Sequence, residues 1–290
     1  MSTLISSSRP DQIQAPARGA TWLQRHPLLA FFALTFGMTW PFLIADALGS
    51  RGLLPFRVPL LVMPLVGYMP SFAALIVVGA TAGRPEMRAL LSRLLIWRVG
   101  LRWYAVAIAG PAVVSLGASA LANLIGGAPA ASLLSPRVVG MPALAVAGNA
   151  VLLFVVSALI NGEELGWRGF ALPRLQARHS ALTASLILGV VWALFHLPLF
   201  WTIGGSSQVD MSLPGYVLQL GAMSVIVTWI FNHTRGSVLI ATLLHASINT
   251  WTQIFAVDHA GPLVFWTQTG LTCLIAVVVV VVFGPWRLSR

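Results

Sequence analysis

The stretch Asn161-Gly-Glu-Glu-Leu-Gly-Trp-Arg-Gly-Phe170 places two adjacent carboxylates directly after a long apolar run. The chain has only seven acidic residues, and two of them, Glu163 and Glu164, are neighbours here. Removing a carboxylate from water costs several kcal/mol unless it is paired. Arg168 lies one helical turn after Glu164 and can pair with it. We therefore expect this stretch to decide both how the chain packs and what chemistry it performs.

The composition is that of a polytopic membrane protein. Of the 290 residues, 58% are hydrophobic and 8% are charged, which lies outside the usual range of soluble domains. All 17 basic residues are arginine. They lie between apolar runs and form no basic stripe, so they indicate anchoring at a membrane surface, and we expect no nucleic-acid partner. The single Cys273 excludes an intramolecular disulfide.

Eight apolar runs follow a polar N-terminal segment. Residues 1–26 have no apolar core of a signal peptide and are expected to be a disordered cytoplasmic tail, with 27–290 as a single transmembrane domain. Each run is near the ~20 residues that a spanning helix needs. The predicted fold class is therefore all-α, a polytopic integral membrane protein with about eight transmembrane helices and its catalytic core in the C-terminal half. The predicted spans are 28–48, 58–80, 103–125, 142–162, 182–202, 213–232, 236–256 and 262–284.

The arginines divide the polar loops into two sets. The arginine-rich set consists of 1–27, 81–102, 163–181, the turn at Arg235 and the C-terminus. Because positively charged loops stay in the cytoplasm, both termini are predicted to be cytoplasmic, which an even number of spans allows. We expect a multi-pass protein of the cell membrane. A basic set made of arginine alone is typical of GC-rich genomes and favours a bacterial inner membrane.

One arginine-rich loop contains an amphipathic segment. From Met87 to Val99, leucines share one side and polar residues share another. This pattern predicts either a helix lying in the cytoplasmic interface or an amphipathic extension of the third span.

The two glutamates are expected to have different roles. Successive residues on a helix point ~100° apart, so Glu163 and Glu164 cannot face the same space. Glu164 and Arg168 are four residues apart and can form an ion pair on one helical face. Glu163 is then left to face a cavity.

Two later groups of polar residues interrupt apolar runs. Glu163 and His196 are equally far along the chain from the His179–Ser180 junction, where we place the turn of a helical hairpin. Their side chains are therefore predicted to lie level with each other. His245 and Asn249 are four residues apart on a later helix and share one face.

Hydrolysis is the chemistry that these residues can supply. Glu163 can take a proton from water, and His196 can hold the same water. His245 and Asn249 can donate hydrogen bonds to an oxyanion. A zinc site is the alternative, since Glu163, His196 and His245 could provide three ligands and leave one position open. The HExxH motif of many zinc proteases is absent from the sequence.

At these residues the chain resembles the CPBP family, the CAAX protease and bacteriocin-processing (Abi) proteins, which are intramembrane proteases related to the type II CAAX prenyl endopeptidase Rce1. The family pattern is Glu-Glu-x-x-x-Arg, then Phe-x-x-x-His, then His-x-x-x-Asn, and its core covers about residues 140–255 of this chain. Trp192 stands where the pattern has Phe, an exchange expected to affect packing more than chemistry. The chain reads Glu163-Glu164-Leu-Gly-Trp-Arg168, Trp192-Ala-Leu-Phe-His196 and His245-Ala-Ser-Ile-Asn249.

The resemblance implies hydrolysis of a peptide bond in a membrane-embedded or lipidated protein or peptide. Members of the family have been described both as metalloproteases and as glutamate-dependent enzymes. We expect that no cofactor is required, with a zinc-dependent protease as the alternative. Carried over residue by residue, Glu163 is the base, His196 positions water, His245 and Asn249 bind the oxyanion, and Glu164 with Arg168 supports the site.

Two other functions fit an apolar chain with buried ionisable groups. The first is a non-proteolytic membrane immunity or scaffold protein of the same family, against which the intact set of six polar residues argues. The second is a small transporter in which glutamate and histidine relay protons. The lack of inverted repeats in the sequence weakens the transporter hypothesis.

Overall fold

The computed structural model describes residues 21–126, 133–135, 138–204, 207–255 and 261–289. Within these ranges the chain is helical and contains no strand, which confirms the all-α fold class. The α-helices are α1 (Trp22–Arg25), α2 (Pro27–Ser50), α3 (Met63–Gly67), α4 (Met69–Thr81), α5 (Gly83–Ser92), α6 (Leu101–Gly126), α7 (Ala143–Ile160), α8 (Leu172–Gln176), α9 (Ala181–Phe195), α10 (Leu213–His233), α11 (Val238–Ile254) and α12 (Pro262–Phe283). A π-helix occupies Leu165–Ala171, and 3₁₀ turns occupy Arg93–Leu95, Leu197–Trp201 and Ser207–Asp210.

The helices follow the predicted apolar runs. Five of the described helices, α2, α6, α7, α10 and α12, are long and apolar enough to cross a membrane by length and composition. The helices at the second, fifth and seventh predicted spans are shorter, with 13 residues in α4, 15 in α9 and 17 in α11. Proline explains the end of α9, because Pro198 lacks the N–H that would continue an α-helix. The chain turns instead into the 3₁₀ segment Leu197–Trp201, so the predicted end at residue 202 was too late.

The N-terminal prediction needs one correction. Residues 1–20 of the predicted tail lie outside the described residues. Trp22–Arg25, however, form a helical turn, which the side chains of Thr21 and Gln24 cap reciprocally. The prediction of disorder is therefore wrong for this turn.

The amphipathic segment is a separate helix, α5, and not an extension of the third span. Residues 96–100 are not helical and separate the 3₁₀ turn after α5 from α6. Two hydroxyl groups fix this loop, since Ser237 donates to the carbonyl of Ile96 and Tyr104 donates to that of Trp97, each at 2.7 Å.

The π-helix and α9 form the predicted hairpin. Helix α8 ends at Gln176, and the Ser180 hydroxyl caps α9 by accepting the Thr183 N–H at 3.1 Å. The turn therefore lies at the His179–Ser180 junction, as the sequence predicts. Around this hairpin α9 packs on α10, the π-helix packs on α4, and α11 lies between α6 and α7.

Glycine allows two helices of this core to approach closely. A Cβ atom on Gly189 of α9 would lie 2.6 Å from Cα of Gly221 and 2.8 Å from the carbonyl oxygen of Leu220, both on α10. Small residues at helix contacts are a general means of packing in membranes. The α9–α10 contact holds in place the helix that ends at the candidate site.

We predict that Gly189→Ala lowers the free energy of unfolding by about 1–3 kcal/mol, because backbone atoms of α10 must move to accept the methyl group. Thermal unfolding in detergent, followed by tryptophan fluorescence, measures the change. Gly37→Ala is the matched control, since nothing lies within 4 Å of the added Cβ. Equal melting temperatures for the two variants would contradict the close contact.

Candidate active site

The chain changes direction immediately before the glutamate pair. Helix α7 ends at Ile160, and Gly162 lies against the ring of Tyr68, where an added Cβ would be 2.2 Å from ring carbons. The carbonyl of Gly162 accepts a hydrogen bond from the Ser71 hydroxyl. A side chain at position 162 has no room, so this glycine lets the chain enter the core and places Glu163 at a fixed point.

Glu163 is held by one of its two carboxylate oxygens. Its Oε2 accepts hydrogen bonds from Nε1 of Trp167 at 2.9 Å and from Nε1 of Trp192 at 2.7 Å. Its Oε1 lies 4.0 Å from Nε2 of His196. The predicted juxtaposition of Glu163 and His196 is therefore confirmed, with Oε1 facing the imidazole.

The hydrogen bonding of His196 determines its tautomer. Nδ1 lies 2.8 Å from the carbonyl oxygen of Trp192, one turn earlier in α9. A carbonyl oxygen can only accept, so Nδ1 carries a proton. In the neutral imidazole, Nε2 then presents a lone pair toward Oε1 of Glu163. A single water can bridge polar atoms at this separation.

Glu164 is the centre of a second, fully buried group. Its Oε1 accepts from Nη1 of Arg168 at 2.9 Å, so the predicted ion pair is present. The Arg168 guanidinium also stacks on Trp192, with its carbon 4.4 Å from the ring centroid. Glu164 is 1% exposed and Arg168 is 0% exposed. Burial to this degree makes each charge depend on the other.

His245 joins the group around Glu164. Its Nδ1 lies 2.8 Å from Oε1 of Glu164, which sequence reasoning had paired with Arg168 alone. Asn249, one turn later on α11, donates from Nδ2 to the hydroxyl of Ser157 on α7 at 3.2 Å. The carboxylate of Glu164 is thus shared between the π-helix and α11, and Asn249 ties α11 to α7.

The predicted alternative of a zinc site needs three converging ligands. Within the described ranges, no three His, Cys, Asp or Glu side chains are arranged to hold a metal ion. Oε2 of Glu163 is occupied by two indole N–H groups, and Nδ1 of His245 faces Glu164. These partners occupy one atom of each side chain and leave Oε1 of Glu163 and Nε2 of His196 and His245, so the zinc-dependent alternative stays a prediction.

Trp192 corrects an expectation from the sequence. We expected the presence of Trp in place of Phe to affect packing more than chemistry, but the indole N–H of Trp192 donates a hydrogen bond to Glu163, the candidate base. The sequence analysis also missed the contact of Trp167 with Glu163 and that of Ser157 with Asn249. The spacing of Trp167, four residues after Glu163, is a signal that could have found the first of these.

Comparison with known proteins supports the predicted resemblance. Residues 143–251 match the family model of the type II CAAX prenyl endopeptidase Rce1-like proteins. All six predicted site residues lie within the matched range.

The chain is also similar to a curated protein. Over 134 residues the chain is 30% identical to the CAAX prenyl protease 2 of Methanococcus maripaludis, which covers 44% of this chain and 48% of that protein. The chain thus spans about half the length of this curated relative.

We predict that Arg168→Leu lowers the free energy of unfolding by about 3–5 kcal/mol, because it leaves the carboxylate of Glu164 buried without its cation. Arg178→Ala is the control, as it removes an exposed arginine of the same hairpin. Thermal unfolding and the fraction of monodisperse protein after purification measure both variants. A melting temperature of Arg168→Leu equal to that of the control would show that the ion pair is not needed.

Proposed function

We propose that the chain is an intramembrane endopeptidase that hydrolyses a peptide bond with a water molecule activated by Glu163 and His196. The observation that carries the proposal is the facing pair of Oε1 of Glu163 and Nε2 of His196, 4.0 Å apart. The other polar atom of each side chain is already occupied, Oε2 by two indoles and Nδ1 by a carbonyl. Only the two facing atoms are left to bind a shared water.

The water would donate one hydrogen bond to Oε1 of Glu163 and the other to Nε2 of His196. As the water oxygen attacks the carbonyl carbon of the scissile peptide, Glu163 takes one of its protons. The tetrahedral intermediate then collapses with breakage of the carbon–nitrogen bond. The proton on Glu163 passes to the leaving amine, so the carboxylate returns to its starting state.

His245 and Asn249 would bind the oxyanion. Nδ1 of His245 donates to the carboxylate of Glu164, and a proton on Nε2 would let the ring donate to the developing negative charge. Asn249 uses one of its two amide protons on Ser157 and has a second for the oxyanion. Glu164 and Arg168 support this arrangement from within the core.

The proposed substrate is a membrane-embedded or lipidated protein or peptide. The apolar helices around the site favour a substrate that is already in the bilayer. The relative from Methanococcus maripaludis is named a CAAX prenyl protease, which makes a prenylated CAAX peptide the first substrate to test. We also propose that the protein lies in the cell membrane with both termini in the cytoplasm, following the arginine distribution.

We predict that Glu163→Ala and His196→Ala each abolish cleavage of a membrane substrate in proteoliposomes, while both variants still insert into membranes. The reason is that each removes one of the two atoms that bind the water. His179→Ala is the matched control, since it removes an exposed histidine from the turn of the hairpin. Full cleavage activity of both site variants would contradict the proposed roles of Glu163 and His196, whereas no cleavage by the unsubstituted protein would favour the immunity, scaffold or transport functions.

We predict that active purified protein contains no stoichiometric zinc. The measurement is elemental analysis alongside cleavage assays before and after dialysis against a chelator. Activity should survive the dialysis, because Glu163 and His196 bind the water without a metal. Stoichiometric zinc whose removal abolishes cleavage, and whose return restores it, would contradict the metal-free mechanism.

A further inference from the structure

Two tryptophans converge on one oxygen of Glu163. Trp167 belongs to the π-helix and Trp192 belongs to α9, so the hydrogen bonds reach the carboxylate from both arms of the hairpin. Trp167 is 0% exposed and Trp192 is 3% exposed, which fixes both indole rings by packing. Hydrogen bonds to a charged acceptor are shorter and stronger than those between neutral groups. Their lengths of 2.9 and 2.7 Å agree with that class of bond.

The two indoles restrict how the carboxylate can turn. A glutamate with both oxygens free could present either of them to water. In this site Oε2 accepts two N–H donors, so a rotation that exchanged the oxygens would break both bonds before forming new ones. The result is that Oε1 alone is directed toward Nε2 of His196.

Besides Glu163, Trp192 contacts three other residues of the site. Its carbonyl oxygen accepts the proton on Nδ1 of His196, and its ring lies under the guanidinium of Arg168. The ring also meets that of His245 edge-to-face, with centroids 5.2 Å apart. A phenylalanine could supply the ring contacts and the carbonyl bond, but it has no N–H for Glu163.

We propose that Trp192 and Trp167 are positioning residues, which hold Glu163 by Oε2 so that Oε1 is the atom that binds the attacking water. This inference rests on the proposed function and assigns to the indole N–H groups a role that no motif in the sequence assigned. Neither tryptophan touches the reacting atoms. Both act through the orientation of Glu163.

The decisive test replaces the indole N–H by sulfur without changing the shape of the ring. 3-Benzothienylalanine at position 192, introduced by nonsense suppression, keeps the ring contacts and removes the donor. Loss of a hydrogen bond to a charged group predicts a fall in kcat of about 10- to 100-fold with KM unchanged, measured at a temperature at which both proteins are folded. Trp192→Phe should lower kcat by at least as much.

Position 251 provides the matched control. The indole of Trp251 donates to the carbonyl oxygen of Ile108 at 3.1 Å, away from Glu163. Benzothienylalanine there removes an indole hydrogen bond to a neutral acceptor and should leave kcat unchanged. An unchanged kcat with benzothienylalanine at position 192 would overturn the positioning role, even though Glu163→Ala remained inactive and the protease proposal stood.

A spectroscopic measurement tests the contact without any substrate. In ¹⁵N-tryptophan-labelled protein, the indole N–H signals of Trp167 and Trp192, assigned from their Phe variants, should both move on Glu163→Ala, while that of Trp251 stays. Indole signals at 167 and 192 that do not respond to Glu163→Ala would overturn the inference, whether or not the protein cleaves peptides.

Discussion

The buried ion pair between Glu164 and Arg168 is the interaction on which the rest of the site depends. A charge removed from water costs several kcal/mol, and its partner compensates only when the geometry is good. In this core one carboxylate oxygen accepts from Arg168 and from His245 together, at 2.9 and 2.8 Å. The pair therefore fixes the π-helix against α11. Trp192 of α9 adds its ring beneath the guanidinium, so three elements are joined around one carboxylate.

Next to this rigid group, the carboxylate of Glu163 is held by one of its two oxygens, and the other oxygen is left to face the histidine. The two glutamates are adjacent in sequence but point in different directions, which separates a structural carboxylate from one that faces the histidine. The short break between α7 and the π-helix makes this possible, because Gly162 fits against Tyr68 and turns the chain into the core. A π-helix within an otherwise α-helical chain is a feature often found at functional sites.

Local rules were enough to predict part of this arrangement. The four-residue spacing of Glu164 and Arg168 predicts their ion pair. Glu163 and His196 are equally far along the chain from the turn before Ser180, which predicts that their side chains lie at the same height in the hairpin. The helical fold follows from the apolar runs. Helix lengths were predicted less well where proline intervenes, as at Pro198, because an apolar run continues there after the α-helix has ended. The remaining contacts depend on side-chain direction and on packing between distant segments. Glu164 and His245 are 81 residues apart, and no local pattern shows which of two neighbouring glutamates a histidine on α11 will meet. The indole bond of Trp192 depends on how α9 is rotated, which its packing on α10 determines. For the same reason the sequence did not show that Trp192, which stands where the family pattern has Phe, adds a hydrogen-bond donor at the candidate base.

We propose that the adjacent glutamates have separate roles, one in binding water and one in holding the fold. Glu163→Gln and Glu164→Gln, which keep nearly the same side-chain shape, should be compared for cleavage and thermal unfolding in the same detergent. We predict that Glu163→Gln is inactive but unfolds at the wild-type temperature, whereas Glu164→Gln unfolds at a clearly lower temperature because Arg168 loses its anion. Cleavage by Glu163→Gln at the wild-type rate, or equal unfolding temperatures for the two variants, would contradict it.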